Sequence, residues 1–336
     1  MCSLIAITTS YRNGATMPLS YDPEFAKALE PLIPKLAAIP MPKAHDIQAR
    51  RDRIPAIFGS MMAALPEVPD VSVDNLTVKS YDGADIIVYH IYPNEIPSGP
   101  QTSAYIYVWG GGMISGSASL FIKPVSLMAS ATRTQFFSVD YRIAPENPHP
   151  TPTEDVYAAL EWLTENHEKF NIDPTRIGIT GESAGGGIAA GVSIMARDRQ
   201  LSPPLAKQVL IYPMLDDRNC FPIPGLEELA FWKADDNLTG WTALLGDEVG
   251  KDSVSPYAAP IRVESVEGLP PIYIDVGELD IYKQENVEYI RRFMKANISA
   301  EFHLYPGVPH GFEGIAPTST ATRKATENRI RALCSI

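Results

Sequence analysis

The chain has 336 residues, with 40 acidic side chains against 28 basic ones and a formal net charge of −12. Hydrophobic residues make up 45% and charged residues 20%, a balance that excludes intrinsic disorder and suits one large α/β domain or two ordinary ones. The negative charge argues against nucleic acid and anionic membrane as partners, because both are bound through clustered Lys and Arg.

Cys2, Cys220 and Cys334 are odd in number and show no Cys-x-x-Cys or Cys/His ligand spacing, so neither a disulfide framework nor a zinc site is expected. The apolar patch near the start lacks a basic flank and gives way to Tyr11, Arg12 and Asn13, which makes a poor signal peptide. No stretch approaches the roughly 18 apolar residues of a membrane helix, and the expectation is a cytoplasmic protein. Asn-x-Ser/Thr triplets begin at Asn75, Asn237 and Asn297, as unsecreted chains also show by chance.

Proline is abundant, at 30 residues, and concentrates in two regions that break an otherwise alternating pattern. The first is residues 1–70, where Ile47 to Leu65 predicts a helix interrupted near Pro55. Leu76 to Ser80 and Asp85 to Tyr92 then read as a hairpin around Tyr81-Asp82-Gly83-Ala84. Strands are predicted at Ser103 to Trp109, Phe136 to Val139, Arg176 to Thr180 and Gln208 to Tyr212. Helices are predicted from Ala118, from Glu154 to Phe170 and from Ala184 to Arg197. The second Pro-rich region, residues 216–261, contains Phe221, Phe231, Trp232 and Trp241. After it come strand Ile272 to Val276, helix Lys283 to Lys295, strand Glu301 to Tyr305 and helix Thr320 to Ala332. Strands alternating with helices imply an α/β fold with a mostly parallel sheet, and the hairpin adds antiparallel strands at one edge.

Gly181-Glu182-Ser183-Ala184-Gly185 matches Gly-x-Ser-x-Gly between a predicted strand and a predicted helix. A sharp turn there lifts the Ser183 hydroxyl above the carboxyl edge of the sheet, against a helix N-terminus that favours negative charge. Ser183 needs a base, and the base an orienting acid. Of six histidines, His45 and His167 fall in predicted helices, His90 and His303 in strands, and His149 between two prolines. His310 lies on a loop between the last strand and the last helix, which makes it the candidate base. Asp280, just past Ile272 to Val276, is the candidate acid; Asp275, inside that strand, and Glu278 are the competitors. The order Ser183, Asp280, His310 is that of α/β-hydrolases. Gly110-Gly111-Gly112 follows Trp109, and missing side chains let amides approach a substrate oxygen. The candidate oxyanion donors are the amides of Gly111, Gly112 and Ala184. A phosphate loop is excluded, since neither Lys-Ser/Thr nor GxGxxG spacing is present.

From about residue 76 to the C-terminus the chain resembles the hormone-sensitive-lipase-like family of α/β-hydrolase carboxylesterases. The resemblance rests on Gly110-Gly111-Gly112, on Asp140-Tyr141-Arg142-Ile143-Ala144-Pro145-Glu146, on Gly181 to Gly186, on Asp280 and on His310-Gly311-Phe312. It implies architectural roles for Asp140, Arg142 and Glu146, and a supporting one for Glu182. It implies a catalytic domain at 71–215 and 262–336, capped by residues 1–70 and the insertion 216–261. The substrate pocket is expected beneath Met113, Ile114, Phe231, Trp232 and Trp241, although these residues could equally pack the cap's own core.

The family usually carries His where this chain has Trp109, and indole donates a hydrogen bond but accepts none; a reshaped loop or pocket is expected. The implied reaction is serine-dependent hydrolysis of short- to medium-chain acyl esters, or of a natural-product ester or lactone, with no metal or organic cofactor. The alternatives are dehydration or acyl transfer on the same fold. A receptor-like binder is disfavoured, because plant gibberellin receptors of this kind lack the His that His310 supplies here. Members often pair through the edge strand, so a homodimer through Glu301 to Tyr305 is expected.

Overall fold

A computed structural model describes residues 18–95 and 99–336; Cys2 and the apolar patch near the start lie outside them. Eight strands form a single sheet: β1 (Val71–Lys79), β2 (Asp85–Pro93), β3 (Thr102–Val108), β4 (Gln135–Val139), β5 (Ile172–Glu182), β6 (Gln208–Ile211), β7 (Ile272–Gly277) and β8 (Ala300–Tyr305). Their order is β1-β2-β4-β3-β5-β6-β7-β8. The hairpin pairs β1 with β2 and β2 antiparallel with β4, while β4 through β8 pair in parallel. Every residue of β4, β6 and β7 is buried, as expected of parallel strands covered on both faces. The edge strands β1 and β8 are largely unburied.

The helices are α1 (Pro23–Leu29), α2 (Ile33–Ala38), α3 (Ile47–Ala63), α4 (Ile122–Thr132), α5 (Thr151–Glu165), α6 (Ala184–Asp198), α7 (Ala234–Leu245), α8 (Lys283–Lys295), α9 (Phe312–Ile315) and α10 (Thr320–Leu333). α5 packs on α6, and α10 on α4, so the sheet is covered on both faces. α6 follows β5 so closely that a Cβ on Gly181 would lie 2.4 Å from the Gly185 carbonyl oxygen, and one on Gly185 2.1 Å from that of Val108. Only glycines permit this approach of helix to strand.

Two expectations near the N-terminus need correction. α3 runs unbroken from Ile47 to Ala63; Pro55 removes one intrahelical bond without ending the helix. His45 precedes the helix, in a turn at φ 65°. Asp46 explains the boundary, because its carboxylate accepts from the Ala49 amide at 3.0 Å in the manner of an N-cap.

The first helices and the segment after β6 meet over the carboxyl edge of the sheet. α1 is capped by Asp22, and Phe25 and Leu29 pack with Tyr305, Val308 and Phe312, on either side of His310. Arg50 of α3 forms a buried ion pair with Asp236 of α7 at 2.9 Å. The base of the 216–261 segment is tied down by the buried pair Asp217–Arg262, at 2.5 Å. Glu285 holds the same base, its carboxylate accepting from the Leu215 amide at 2.6 Å. No helix among the described residues is long and apolar enough to cross a membrane.

Candidate active site

Ser183 stands between β5 and α6 at φ 56°, ψ −125°, a conformation costly for any residue with a Cβ and sustained here by the surrounding close packing. Its hydroxyl lies 2.9 Å from Nε2 of His310, and Nδ1 of His310 lies 2.6 Å from Oδ2 of Asp280. Asp280 is fully buried, and its other oxygen accepts from the Tyr282 amide at 2.9 Å. This bonding assigns the imidazole proton to Nδ1 and leaves Nε2 facing the hydroxyl. Ser183 itself is 8% exposed.

The competing acids are engaged elsewhere. Asp275 forms a buried pair with Arg329 at 2.7 Å and accepts from the Tyr273 hydroxyl. Glu278 accepts from the Gly307 amide at 3.0 Å. The other histidines also have structural surroundings. His90 meets Gln135 at 2.8 Å, His167 meets the Ile172 carbonyl at 2.9 Å, and His303 meets Glu301 at 2.6 Å. Burial pushes His90 down to about 4 and lowers His149 too.

The glycine loop lies against Ser183: a Cβ on Gly110 would sit 3.1 Å from that of Ser183. Gly112 has φ 63°, and a Cβ there would meet the Trp232 ring at 2.4 Å. The amides of Gly111, Gly112 and Ala184 find no protein acceptor among the described residues. The loop is held from outside. The Gly111 carbonyl accepts from Ser115, and the Met113 carbonyl from the Ala144 amide at 2.9 Å. The Ile114 carbonyl accepts from Nε of Arg51 at 2.7 Å.

Trp109 does not shape a pocket. Its ring is buried behind the loop, stacked on Tyr141 at 4.2 Å, and its N–H donates to the Val139 carbonyl at 2.9 Å. A donor suffices because the partner is a carbonyl. The residue expected to reshape the loop or pocket is an anchor of the loop. Arg142 pairs with Asp155 and Asp82, both at 2.7 Å, and Asp140 accepts from the Ala118 amide at 2.8 Å. Both contacts brace the loop's surroundings.

Of the five expected pocket residues, Trp232 and Phe231 keep partial exposure. Trp232 lies against Gly112, while Phe231 packs on Phe25 with ring centroids 5.8 Å apart. Met113 and Ile114 are buried beneath the loop. Trp241 is fully buried in the main core, where a ring offers no surface to a ligand.

Two rings missed in the sequence flank His310: Tyr212 at 4.4 Å and Tyr282, edge-on, at 5.3 Å. The Tyr212 hydroxyl donates to Glu313 at 2.7 Å, and Arg329 bonds the same carboxylate at 2.8 Å. Burial, seconded by the charge of Glu313, pushes Glu182 up to about 7. For His310, burial favours the neutral ring, but the charge and hydrogen bond of Asp280, aided by Glu313 and Glu182, outweigh it and raise the pKa above the ordinary value. Among the described residues, no group of three or more His, Cys, Asp or Glu is arranged to hold a metal ion.

Residues 105–314 match a family described by its α/β-hydrolase fold. Esterase LipI of Mycobacterium tuberculosis is 30% identical over 313 residues, covering 91% of this chain and 94% of its own. A solved bacterial heroin esterase superimposes with a TM-score of 0.83 at 32% identity, covering 94% of this chain and 97% of its own. A hyperthermophilic esterase from the archaeon Pyrobaculum calidifontis gives 0.81 at 29% identity, covering 95% and 99%. With the matched pattern spanning more than half its length, the chain belongs to the α/β-hydrolase family of hormone-sensitive-lipase-like carboxylesterases.

Proposed function

We propose that the protein is a carboxylesterase in which Ser183, His310 and Asp280 form the catalytic triad. The observation that carries this reading is the continuous pair of hydrogen bonds, Ser183 to His310 at 2.9 Å and His310 to Asp280 at 2.6 Å, at a strained turn beneath a glycine loop. Oγ of Ser183 attacks the ester carbonyl as Nε2 of His310 takes its proton, and Asp280 stabilises the imidazolium. The carbonyl oxygen, now negative, is received by the amides of Gly111, Gly112 and Ala184, with the α6 N-terminus adding its dipole. Collapse of the intermediate expels the alcohol, which takes the proton from His310 and leaves an acyl-Ser183 ester. Water then attacks that ester with His310 as base, and the acid departs as Ser183 regains its proton.

Residues 18–70 and 216–261, joined by Arg50–Asp236, act in this reading as a cap over the site. The substrates are short- to medium-chain acyl esters, with a natural-product ester or lactone among the compounds to be screened. Among the described residues β8 has no strand on its outer side, and Leu304 within it and Met294 on α8 are exposed; we infer a homodimer through this face, which light scattering on the purified protein tests.

Turnover of p-nitrophenyl esters from acetate to decanoate, wild type beside S183A, tests the reaction. Chain-length-dependent hydrolysis lost in S183A is expected. Equal turnover by the two proteins refutes the assignment.

A further inference from the structure

Asn237 opens one of the three Asn-x-Ser/Thr triplets, yet it is fully buried in α7. Its carboxamide joins three segments. Oδ1 accepts from the Tyr282 hydroxyl at 2.8 Å and from Nε1 of Trp232 at 3.2 Å, and Nδ2 donates to the Asn219 carbonyl at 2.5 Å. Two of these partners have a second attachment close to the reacting groups. Tyr282 gives its amide to Asp280 and presents its ring edge to His310. The Trp232 ring covers Gly112 so closely that a Cβ there would meet it at 2.4 Å. Neither the triad nor the oxyanion loop uses Asn237 directly, and a buried amide with all these bonds made is rigid.

Resting on the esterase reading above, we propose that Asn237 is a positioning residue that fixes acyl-chain selectivity by holding Trp232 over Gly112. The argument is geometric. Trp232 is partly exposed, and its six-membered ring edge lies against Gly112, with Cη2 2.4 Å and Cζ2 2.7 Å from where a Cβ there would sit, beside the amides that in the esterase reading receive the acyl carbonyl. The ring follows the first residues of the 216–261 segment and precedes α7 by a short turn, so local backbone alone gives it little constraint. Its bond to Oδ1 supplies the missing constraint. The Tyr282 hydroxyl donates to the same Oδ1, so the carboxamide cannot rotate away without leaving a buried hydroxyl unpaired. The wall over Gly112 and the support of Asp280 are thereby set by one side chain.

The test keeps the alcohol constant and varies the acyl group. kcat and KM for p-nitrophenyl butyrate and decanoate are measured for wild type, N237L, W232A and the double variant, each normalised to the fraction of Ser183 that reacts with a fluorophosphonate. Freeing or removing the ring enlarges the acyl space, so the decanoate-to-butyrate ratio of kcat/KM should rise on the order of tenfold in N237L and W232A, the scale of a methylene-sized change in a pocket. The double variant should rise no further than W232A, because both changes act through one ring. Y282F deletes a single hydroxyl and should shift the ratio the same way by a smaller factor; should N237L fail to fold, Y282F beside W232A carries the test. A merely structural Asn237 would lower the reactive fraction and leave the ratio unchanged, and that result overturns the proposal, as do additive shifts in the double variant. A wild type inert toward the whole series overturns the esterase reading and this inference together, whereas an active wild type with unmoved ratios removes the inference alone.

Discussion

Replacing Arg51 by Met separates the clamp on the oxyanion loop from a surface ion pair. Arg51 donates to the carbonyl oxygens of Ile114 at 2.7 Å and Ala144 at 3.0 Å, and pairs bidentately with Glu146 at 2.7 and 2.6 Å. Arg51 is 24% and Glu146 56% exposed, so the pair contributes only about 0.2–1 kcal/mol. The two bonds from a charged donor to part-buried carbonyls are worth more, about 1.5 kcal/mol each at the low end of their range. R51M should therefore lower stability by roughly 3 kcal/mol. Losing an oxyanion donor outright costs about 10²–10³ in kcat; displacing the loop that carries two of them should cost about 10- to 100-fold, with KM nearly constant. E146Q leaves both carbonyl bonds in place and should remain within about threefold of wild type. The guanidinium beside Glu146 holds its carboxyl down to about 2, so it is ionised throughout the assay range and the comparison does not depend on pH. The assay is steady-state turnover of p-nitrophenyl butyrate together with urea unfolding. Equal losses in R51M and E146Q, or an R51M protein destabilised with kcat intact, would refute the clamp.

Three further outcomes are expected. Because Asp280, Glu313 and Glu182 raise His310 above its ordinary 6.5 against the effect of burial, and the base must be neutral, the acid limb of kcat/KM should lie above that value. E313Q removes a charge that favours imidazolium, on a carboxylate that, despite its burial, Arg329 keeps below its ordinary range, and should move the limb to lower pH, so a limb that stays or rises in pH–rate profiles contradicts the assignment. W109H shrinks a buried, stacked side chain and should cost about 2–4 kcal/mol in thermal unfolding without increasing turnover; a more active, equally stable W109H would refute its role as an anchor. R329M strands Asp275, fully buried, and Glu313, the two carboxylates that Arg329 joins, and should lower unfolding free energy by about 3–5 kcal/mol. A change under about 1 kcal/mol would show that the two carboxylates find protons or other partners.

The strands and helices of the sheet were legible because each carries its own period. Lys283–Lys295 and Thr320–Leu333 alternate polar and apolar residues at helical spacing, and β7 is a short run, apolar but for Asp275, closed by Gly277. Ser183 was legible for a related reason: the sharp turn that holds it at φ 56° requires small neighbours next to it in sequence, at Gly181, Ala184 and Gly185. Asp280 and His310 were reachable through the places where strands end. A single residue type is a weaker guide: Pro55 does not interrupt α3, and the indole of Trp109 needs no acceptor capacity because its partner is the Val139 carbonyl.

What the sequence could not reveal is the set of bonds between segments that share no period and no motif. Arg51 and Ile114 are 63 positions apart, and Asn237 and Tyr282 are 45 apart. A single arginine among charged residues on a helix, or an asparagine in a chance glycosylation triplet, has no local signature of its partner, because the bond depends on how two elements are laid across the sheet edge. These contacts nevertheless constrain the reactive geometry most directly. Trp109 fixes the glycine loop to β4 from below, Arg51 fixes it from α3 above, and Trp232 covers its last glycine under the control of Asn237. Each of the three holds comes from a different part of the chain, so the loop's amides, which find no protein acceptor among the described residues, are kept open for the substrate oxygen that the proposed reaction brings to them. That is the arrangement preorganised electrostatic stabilisation demands, and it follows from packing between remote segments after the local patterns have placed the strands.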